Sequence, residues 1–257
     1  MVFWLLLLSY FYPAYGITVP TWTGPVRVPP AFWERSTFPG KADIDGVIFD
    51  LDGTLLDSLG AWEHSGSNFV RTQGFEPPAG LDDELVAMSL MDGANLIKTR
   101  YRLPQSPEEI LALTLRPIEA HYAHDILPLP GVPELLARLK AQGVKMAVAT
   151  ASDRALAEVS LRRLGLRDYF EFIITCDEVG VGKSSPKVYE EALRRLGTAK
   201  ARTLVAEDAL HALQTAHAAG FPTAAIEEAH SAAQQVAKKQ AATYYVLSYE
   251  GKQVFKK

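Results

Sequence analysis

The sequence lacks several features that would each place it in a particular class of protein. Its 257 residues include a single cysteine, Cys176, which excludes a disulfide within the chain. Basic residues (26) do not outnumber acidic ones (30), and the formal net charge of −4 argues against a general nucleic-acid-binding surface. The N-terminal apolar run MVFWLLLLSYFY is too short to span a membrane as a helix. We therefore expect a globular protein without a nucleic-acid partner or a stable membrane span, and a cytoplasmic location is favoured.

The first 41 residues differ in composition from the rest of the chain. The apolar run is followed by the stretch PTWTGPVRVPPAFWERSTFPG, which has neither helical nor strand periodicity, and charge is absent before Arg27. We interpret residues 1–41 as a leader or extension of uncertain status. It is either a misassigned or non-native leader or a signal peptide or membrane anchor, although no basic residue precedes the apolar run. These residues are left out of the predicted fold.

From residue 42 onward, short apolar runs alternate with helical patterns. Five runs have the length and composition of strands that are buried on both faces: 47–51, 144–149, 172–175, 203–206 and 223–226. Strands of this kind separated by helices predict the α/β class, with a Rossmann-like parallel sheet flanked by helices. In such a sheet, ligands bind at the carboxyl ends of the strands.

A long segment after the first predicted strand carries no strand signal. Helical patterns occur instead at 61–72, 81–90 and 107–122, and the last of these begins with a capping box at Ser106-Pro107-Glu108-Glu109. We therefore predict that residues 59–128 form a small all-helical cap domain. The cap would be inserted into a catalytic core made of residues 42–58 and 129–257, where it could act as a lid.

Polar side chains occur at or after the predicted strands in positions that packing does not explain. They are Asp50, Asp52, Thr150, Lys183, Glu207 and Asp208. Each has a structural alternative when taken alone, such as a helix N-cap, a solvated lysine or an acid at a helix N-terminus. Together, they would bring several carboxylates, a hydroxyl and an ammonium group to one edge of the sheet. Carboxylate oxygens suit Mg²⁺, and a cation with a lysine and a hydroxyl can hold a phosphate.

Four sequence segments also resemble the motifs of a known family. FDLDGTLLDS, VATAS, GKSSPKVY and VAEDALHALQTAHAAG occur in the order of the four motifs of the haloacid dehalogenase superfamily. The resemblance extends from about Asp45 to Tyr249 and is closest to the sugar-phosphatase and beta-phosphoglucomutase-like branch. That branch combines a Rossmann-like core with a helical cap.

The resemblance implies a role for each acidic residue of the cluster. Asp50 would be the nucleophile that forms an aspartyl-phosphate, and Asp52 would protonate the leaving oxygen and then deprotonate water. The Asp50 carboxylate, the Asp52 backbone carbonyl and Asp208 would bind Mg²⁺, and Glu207 would assist directly or through water.

The resemblance also implies how the phosphoryl group would be held. Thr150 and Lys183 would contact its oxygens, and the Ala151 amide could contribute. An acid at Asp52 favours phosphate esters over haloacids, because an oxygen leaving group needs a proton. The expected function is Mg²⁺-dependent hydrolysis of a small phosphorylated metabolite, with a sugar phosphate as the expected class.

Two alternatives remain open at this stage. A phosphosugar mutase of the beta-phosphoglucomutase type is one, but Trp62 and Met91 stand where its cap carries His and Arg. A non-catalytic phospholigand-binding protein is the other, because Ser184 and Ala209 replace a Pro and a Ser that are usual in the family.

Substrate specificity is expected to depend on the cap. Ser89, Met91 and Asp92 are the candidates for contacting the leaving group. The oligomeric state is left open, with a monomer favoured.

Overall fold

Strands and helices alternate through most of the chain in the computed structural model, which describes residues 34–86, 88–227, 234–250 and 254–256. Residues 1–33, which make up most of the predicted extension, lie outside the described residues. The described residues fall within one unit, Trp33–Lys257. None of the helices in these ranges combines the length and the apolar composition that crossing a bilayer requires.

The described strands form one mixed sheet. In chain order they are β1 (Glu34–Ser36), β2 (Gly46–Phe49), β3 (Lys145–Thr150), β4 (Ile173–Thr175), β5 (Thr203–Glu207), β6 (Thr223–Ile226), β7 (Tyr244–Val246) and β8 (Val254–Lys256). Their order across the sheet is β1-β8-β7-β6-β5-β2-β3-β4. Strands β2 to β7 run parallel, whereas β8 is antiparallel to both β7 and β1. The predicted α/β class with a largely parallel sheet is confirmed.

The strands appear as continuous apolar runs in the sequence because the sheet is buried on both faces. Strand β2 lies between β3 and β5 and is buried on both faces. Val47 and Phe49 pack into the hydrophobic cluster on one side, and Ile48 packs into the cluster on the other. Each of the five predicted runs overlaps one of the strands β2 to β6, and the run 223–226 matches β6 in both bounds.

Helices cover the core sheet and form the insertion after β2. The insertion contains α1 (Leu59–Trp62), α2 (Ser65–Thr72), α3 (Leu81–Val86), α4 (Leu90–Tyr101) and α5 (Pro107–His124). The core contains α6 (Val132–Ala141), α7 (Arg154–Arg163), α8 (Cys176–Val179), α9 (Lys187–Leu196), α10 (Leu210–Ala218) and α11 (Gln235–Ala241). The helical cap predicted from the missing strand signal is confirmed as a feature of the fold.

Two of the predicted cap helices have the wrong bounds. The pattern at 61–72 forms two helices, because His64 adopts a left-handed conformation with φ of 59° between α1 and α2. The pattern at 81–90 ends at Val86, and a helix that was not predicted, α4, begins at Leu90. Ser89 caps α4 by accepting the Asp92 N–H at 3.2 Å, so the predicted pattern 81–90 ends where a new helix begins.

The third cap helix agrees with its sequence signal. The Ser106 hydroxyl accepts the Glu109 N–H at 3.2 Å, and the Glu109 carboxylate accepts the Ser106 N–H at 2.7 Å. This reciprocal capping box begins α5, which runs for 18 residues. Ile110 packs into the hydrophobic cluster of the cap, whereas Ile118 and Tyr122 belong to the main core cluster. Helix α5 therefore connects the cap to the core.

Residues just before position 42 take part in the core, although the sequence assigned them to the extension. Strand β1 pairs with β8, and the buried Phe38 ring lies 6.0 Å from the Phe49 ring and 5.8 Å from that of Tyr249. A short strand in a proline- and aromatic-rich stretch leaves no periodic signal, which is why it was missed. We propose that the core domain begins at Glu34 rather than at residue 42.

Candidate active site

The carboxyl ends of β2, β3 and β5 lie side by side at one edge of the sheet. Asp50 follows β2 directly, Thr150 is the last residue of β3, and Glu207 is the last residue of β5. Asp208 comes next in the chain, and Lys183 lies in the loop between α8 and α9. All five residues are buried. The structure thus brings the predicted strand-end residues together at one place.

Lys183 forms two ion pairs at the centre of this group. Its Nζ donates to Oδ1 of Asp50 and, at 2.5 Å, to Oε1 of Glu207. Burial alone would lower the pKa of Lys183, but the charges of Asp50 and Glu207 outweigh it and hold the pKa above its ordinary value. The lysine is 5% exposed, so the alternative of a solvated surface lysine does not apply.

Three carboxylates meet beside the lysine. Asp50, Glu207 and Asp208 each offer an oxygen within 4.8 Å of the others. Burial and the charge of Glu207 raise the pKa of Asp50 to about 6, and burial and the charge of Asp50 raise that of Asp208. Like charges so close together are costly unless a cation lies between them. Within the described residues, the buried Oε2 of Glu207 has no hydrogen-bond partner, which leaves it available to a cation. This donor set fits a divalent metal ion that prefers oxygen ligands.

Neutral donors hold one oxygen of Asp208 and one oxygen of Glu207. Thr54 donates its hydroxyl to Oδ1 of Asp208 at 3.0 Å, and Tyr189 donates to Oε1 of Glu207 at 2.8 Å. Hydrogen bonds of this kind fix the orientation of carboxylates that bind a metal. Both donors are fully buried.

The turn after β2 requires a glycine at position 53, directly after Asp52. Gly53 has φ of +76°, which side chains other than that of glycine adopt rarely. A Cβ atom at this position would also lie 2.6 Å from Oδ2 of Asp208. Gly53 therefore lets the chain turn directly beside the carboxylate cluster.

Asp52 lies apart from the ion pairs and is surrounded by hydroxyl groups. Its Oδ1 accepts from Ser58 at 2.5 Å and from Tyr122, and its Oδ2 accepts from Ser152. Burial and the charge of Asp50 raise the pKa of Asp52, and these hydrogen bonds oppose the rise. A carboxyl group with a raised pKa is suited to give up and take back a proton.

The hydroxyl of Tyr122 is itself held in place. Trp62 donates its indole N–H to the Tyr122 oxygen at 2.6 Å, and the two rings meet edge to face. Burial, followed by the charge of Asp52, raises the pKa of Tyr122 well above its ordinary value, so the phenol keeps its proton and remains a donor. A chain of hydrogen bonds therefore runs from the cap helix α1 through α5 to Asp52.

Sequence reasoning assigned no role to the three donors to Asp52, although Ser152 was noted beside Thr150 as a polar residue after a predicted strand. Ser58 and Ser152 both lie inside the quoted motifs, and Ser58 could have been noticed as a hydroxyl near a strand end. Tyr122 gave no such signal, because it reads as one apolar position on the stripe of α5, 70 residues from Asp52.

The segment after β3 serves two purposes. Thr150 accepts the Ser152 N–H on its hydroxyl at 2.9 Å, and Thr150 and Ala151 both border the cavity described below. Asp153 caps α7 by accepting the Ala155 N–H at 2.7 Å. The N-cap alternative is thus correct for Asp153, while Thr150 still lies among the acidic residues.

A cavity of about 240 Å³ extends from these residues into the cap. The core side of its wall contains Asp50, Asp52, Thr150, Lys183 and Asp208, together with Ala151, Ser152, Glu207, Ala209 and His211, and residues of the insertion form the rest. A cleft that joins reactive side chains to a second layer of structure is the usual form of a small-molecule site.

The cap residues predicted to contact a leaving group occupy different positions. Ser89 borders the cavity, and its hydroxyl donates to Oδ2 of Asp92 at 2.9 Å. The Met91 amide donates to Asp177 at 3.3 Å, and neither Met91 nor Asp92 is among the described residues of the cavity wall. Of the three candidates, the structure therefore places only Ser89 at the cavity, and Met91 and Asp92 lie in the first turn of α4.

Comparisons with known proteins agree with this geometry. Residues 47–226 match the model of the family described as haloacid dehalogenase-like hydrolase. Pyrophosphatase PpaX of Halalkalibacterium halodurans is 32% identical over 187 residues, which cover 72% of this chain and 84% of that protein. Hexitol phosphatase A of Escherichia coli is 32% identical over 183 residues, which cover 70% of this chain and 82% of that protein. The structure of CbbY from Rhodobacter sphaeroides in complex with phosphate superposes with a TM-score of 0.62 at 25% identity, over 73% of this chain and 88% of that one.

These similarities establish the family. The chain belongs to the haloacid dehalogenase-like hydrolases, as the four motifs indicated. Among its relatives are enzymes named as phosphatases, and the predicted enzyme type, a phosphoric monoester hydrolase of this family, is confirmed.

Proposed function

We propose that this protein is a Mg²⁺-dependent phosphatase that hydrolyses small phosphate monoesters through an aspartyl-phosphate. The observation that carries the proposal is the placement of Lys183 between Asp50 and Glu207, with Asp208 completing a buried carboxylate group. A lysine and three carboxylates at one sheet edge fit a phosphoryl group and a cation better than any packing role.

The two aspartates after β2 would divide the chemistry. A carboxylate oxygen of Asp50 attacks phosphorus, the bond from phosphorus to the ester oxygen breaks, and Asp52 gives its proton to the departing oxygen. Asp52 then takes a proton from water, whose oxygen attacks the phosphorus of the aspartyl-phosphate. The bond to Asp50 breaks, phosphate is released, and both carboxyl groups return to their starting states.

Positioning would supply most of the remaining catalysis. Lys183, the Thr150 hydroxyl and the Ala151 amide would hold the phosphoryl oxygens in line with Asp50. The Asp50 and Asp208 carboxylates and the Asp52 backbone carbonyl would bind Mg²⁺, with Glu207 assisting. The ion would offset the repulsion between a phosphate and the attacking carboxylate.

The relatives guide the choice of substrate and the domain assignment. Hexitol phosphatase A is named for a phosphorylated sugar alcohol, which supports a small phosphorylated metabolite as the substrate. We propose that the helical insertion, residues 59–128, acts as a cap domain over the core. A monomer in the cytoplasm remains our expectation.

The proposal is tested by replacing Asp50. Asp50→Asn should reduce phosphate release from p-nitrophenyl phosphate to background, because an amide is a poor nucleophile toward phosphorus. Asp57→Asn is the matched control, since Asp57 lies seven residues further along and is exposed. It should keep the wild-type rate, and chelation of divalent cations should abolish that rate reversibly.

Either of two results would overturn the proposal. Full activity of Asp50→Asn would exclude the aspartyl-phosphate, and an inactive wild type with added Mg²⁺ would favour the non-catalytic alternative. Conversion of a glucose 1-phosphate to an isomer with little free phosphate would instead identify a mutase.

A further inference from the structure

Two cap helices line the cavity with apolar faces. Helix α4 contributes positions spaced as one helical stripe: Leu90, Gly93, Ala94 and Ile97. Helix α5 contributes Ile110, Leu111, Thr114 and Leu115. Leu59 and Trp62 continue the same surface toward the catalytic carboxylates. The wall opposite the phosphate site is therefore apolar along most of its length.

Most polar groups that the described cap residues place in this wall already have partners. Ser89 accepts the Asp92 N–H and donates to the Asp92 carboxylate. Asp82 accepts the Ser67 N–H at 3.0 Å and the Ser67 hydroxyl at 2.5 Å. The Thr114 hydroxyl donates at 2.9 Å to a carbonyl one turn earlier in its own helix. The hydroxyl protons of Ser89 and Thr114 are therefore already donated within the cap, and Asp82 offers only an acceptor.

Charged recognition groups are also scarce on this side. Among the described residues, the cap contributes no Lys, Arg, His, Asn or Gln to the wall, and Ser65 is the remaining hydroxyl. The indole N–H of Trp62 is used by Tyr122. A polyol bound here would lose its hydrogen bonds to water without replacing them, which is costly for each hydroxyl.

The cavity is too large to be a packing defect of the cap. Protein interiors contain few voids larger than a water molecule, whereas this one measures about 240 Å³ and opens on Asp50 and Asp52. An apolar group in this position would gain by leaving water, at roughly three- to four-fold in affinity for each methylene buried.

We propose that the preferred substrate is a phosphate ester of an apolar alcohol, alkyl or aryl, whose carbon chain lies against the apolar faces of α4 and α5. The inference rests on the proposed phosphatase function and specifies its substrate class. It departs from the expectation of a sugar phosphate, because the core side of the site binds phosphate in either case while the cap side selects the alcohol.

A matched pair of esters tests the inference. Hexyl phosphate and sorbitol 6-phosphate share a six-carbon chain and differ in the hydroxyls along it. The value of kcat/KM should be greater for hexyl phosphate by roughly ten-fold or more, and it should rise from propyl to hexyl phosphate by about three-fold per methylene.

A variant that fills the cavity tests whether the preference for hexyl phosphate depends on this wall. Ala94→Phe places a ring in the wall and should reduce the ratio of kcat/KM for hexyl phosphate to that for sorbitol 6-phosphate by roughly ten-fold. Ala112→Phe is the control, because Ala112 is exposed on α5 and lies outside the described wall. If Ala94→Phe does not fold, the smaller change Ala94→Val should lower the ratio in the same direction.

The outcomes separate this inference from the proposed function. If sorbitol 6-phosphate is hydrolysed as well as hexyl phosphate or better, the proposal of an apolar leaving group is wrong, whereas the proposed phosphatase function still stands. If neither ester nor p-nitrophenyl phosphate is hydrolysed, the proposed phosphatase function is wrong. The binding of hexyl phosphate and of sorbitol 6-phosphate to Asp50→Asn, measured by calorimetry, then tests the substrate class. Tighter binding of hexyl phosphate then supports it, and equal or weaker binding overturns it.

Discussion

Asp52 depends on side chains from three separate parts of the chain. Ser58 follows it closely, Ser152 lies two residues after β3, and Tyr122 comes from the core end of α5. A carboxyl group that must give a proton in one step and take one in the next needs a fixed position in both. Tyr122 is the donor that connects this position to the cap, because Trp62 holds its oxygen.

We therefore predict that Tyr122→Phe impairs proton transfer without weakening substrate binding. Loss of a hydrogen bond to a charged group costs about 1.5–3 kcal/mol, so kcat for an alkyl phosphate should fall by roughly ten-fold or more while KM changes little. The fall should be smaller for p-nitrophenyl phosphate, whose leaving group needs less protonation. Steady-state kinetics with both esters measures the difference.

Tyr101→Phe is the matched control for this prediction. Its hydroxyl is buried on α4 and has no hydrogen-bond partner within the described residues, so the same atom is removed without affecting Asp52. An equal loss of kcat on both esters, or a loss in Tyr101→Phe as well, would assign Tyr122 a purely structural role.

Among the secondary-structure elements, the buried strands were predictable from the sequence, and so were the site residues at their carboxyl ends. Asp50 and Glu207 were found because each ends an apolar run, and parallel strands bring such ends together. Helix α4 was missed because its main signal is a single N-cap, Ser89, after a helix that ends earlier than its pattern suggests. Cap side chains could not be assigned, because the face that a helix turns toward a cavity depends on packing against other helices.

An ion pair near the start of β2 connects two neighbouring strands and contributes to stability. Asp45 precedes β2, and its carboxylate accepts from Arg202, which precedes β5, at 2.6 Å and from Lys41 at 2.7 Å. The hydrogen bond from Arg202, followed by that from Lys41, lowers the pKa of Asp45 from its ordinary 3.8 to about 2. These contacts join two neighbouring strands at their amino ends.

This lowered pKa predicts a dependence of stability on pH. The contribution of Asp45 is present above its unfolded pKa near 3.8 and is lost as pH falls toward about 2. Asp45→Asn should thus unfold at lower urea concentration than wild type at neutral pH, by a small amount because the carboxylate is partly exposed to solvent. The difference should shrink as pH falls below about 4.

Urea titrations across this pH range provide the measurement. Asp57→Asn is a suitable control, because Asp57 is exposed and forms no ion pair within the described residues. A difference between Asp45→Asn and wild type that stayed constant with pH would show that titration of Asp45 does not contribute.

For the whole molecule, the sheet extends beyond the residues that carry the family motifs. Residues 47–226 match the family, whereas β1, β7 and β8 extend the sheet at one end. Phe38 joins this extension to the core through Phe49 and Tyr249, and its carbonyl accepts from Arg138 at 3.0 Å. Strands of three residues in irregular segments leave too little pattern to be predicted from sequence alone.

The extended sheet predicts where the chain can be shortened. A chain that begins at residue 42 should unfold more easily than one that begins at residue 34, by about 3 kcal/mol or more, because it loses β1 and the buried Phe38 ring. Phe38→Ala in the full chain should show a large part of that loss, since it removes the ring and leaves the strand. Urea unfolding of these three proteins and of the full-length wild type separates the two contributions. Equal stability of the two shortened chains would instead restore the boundary at residue 41 and show that the edge strand adds nothing to the core.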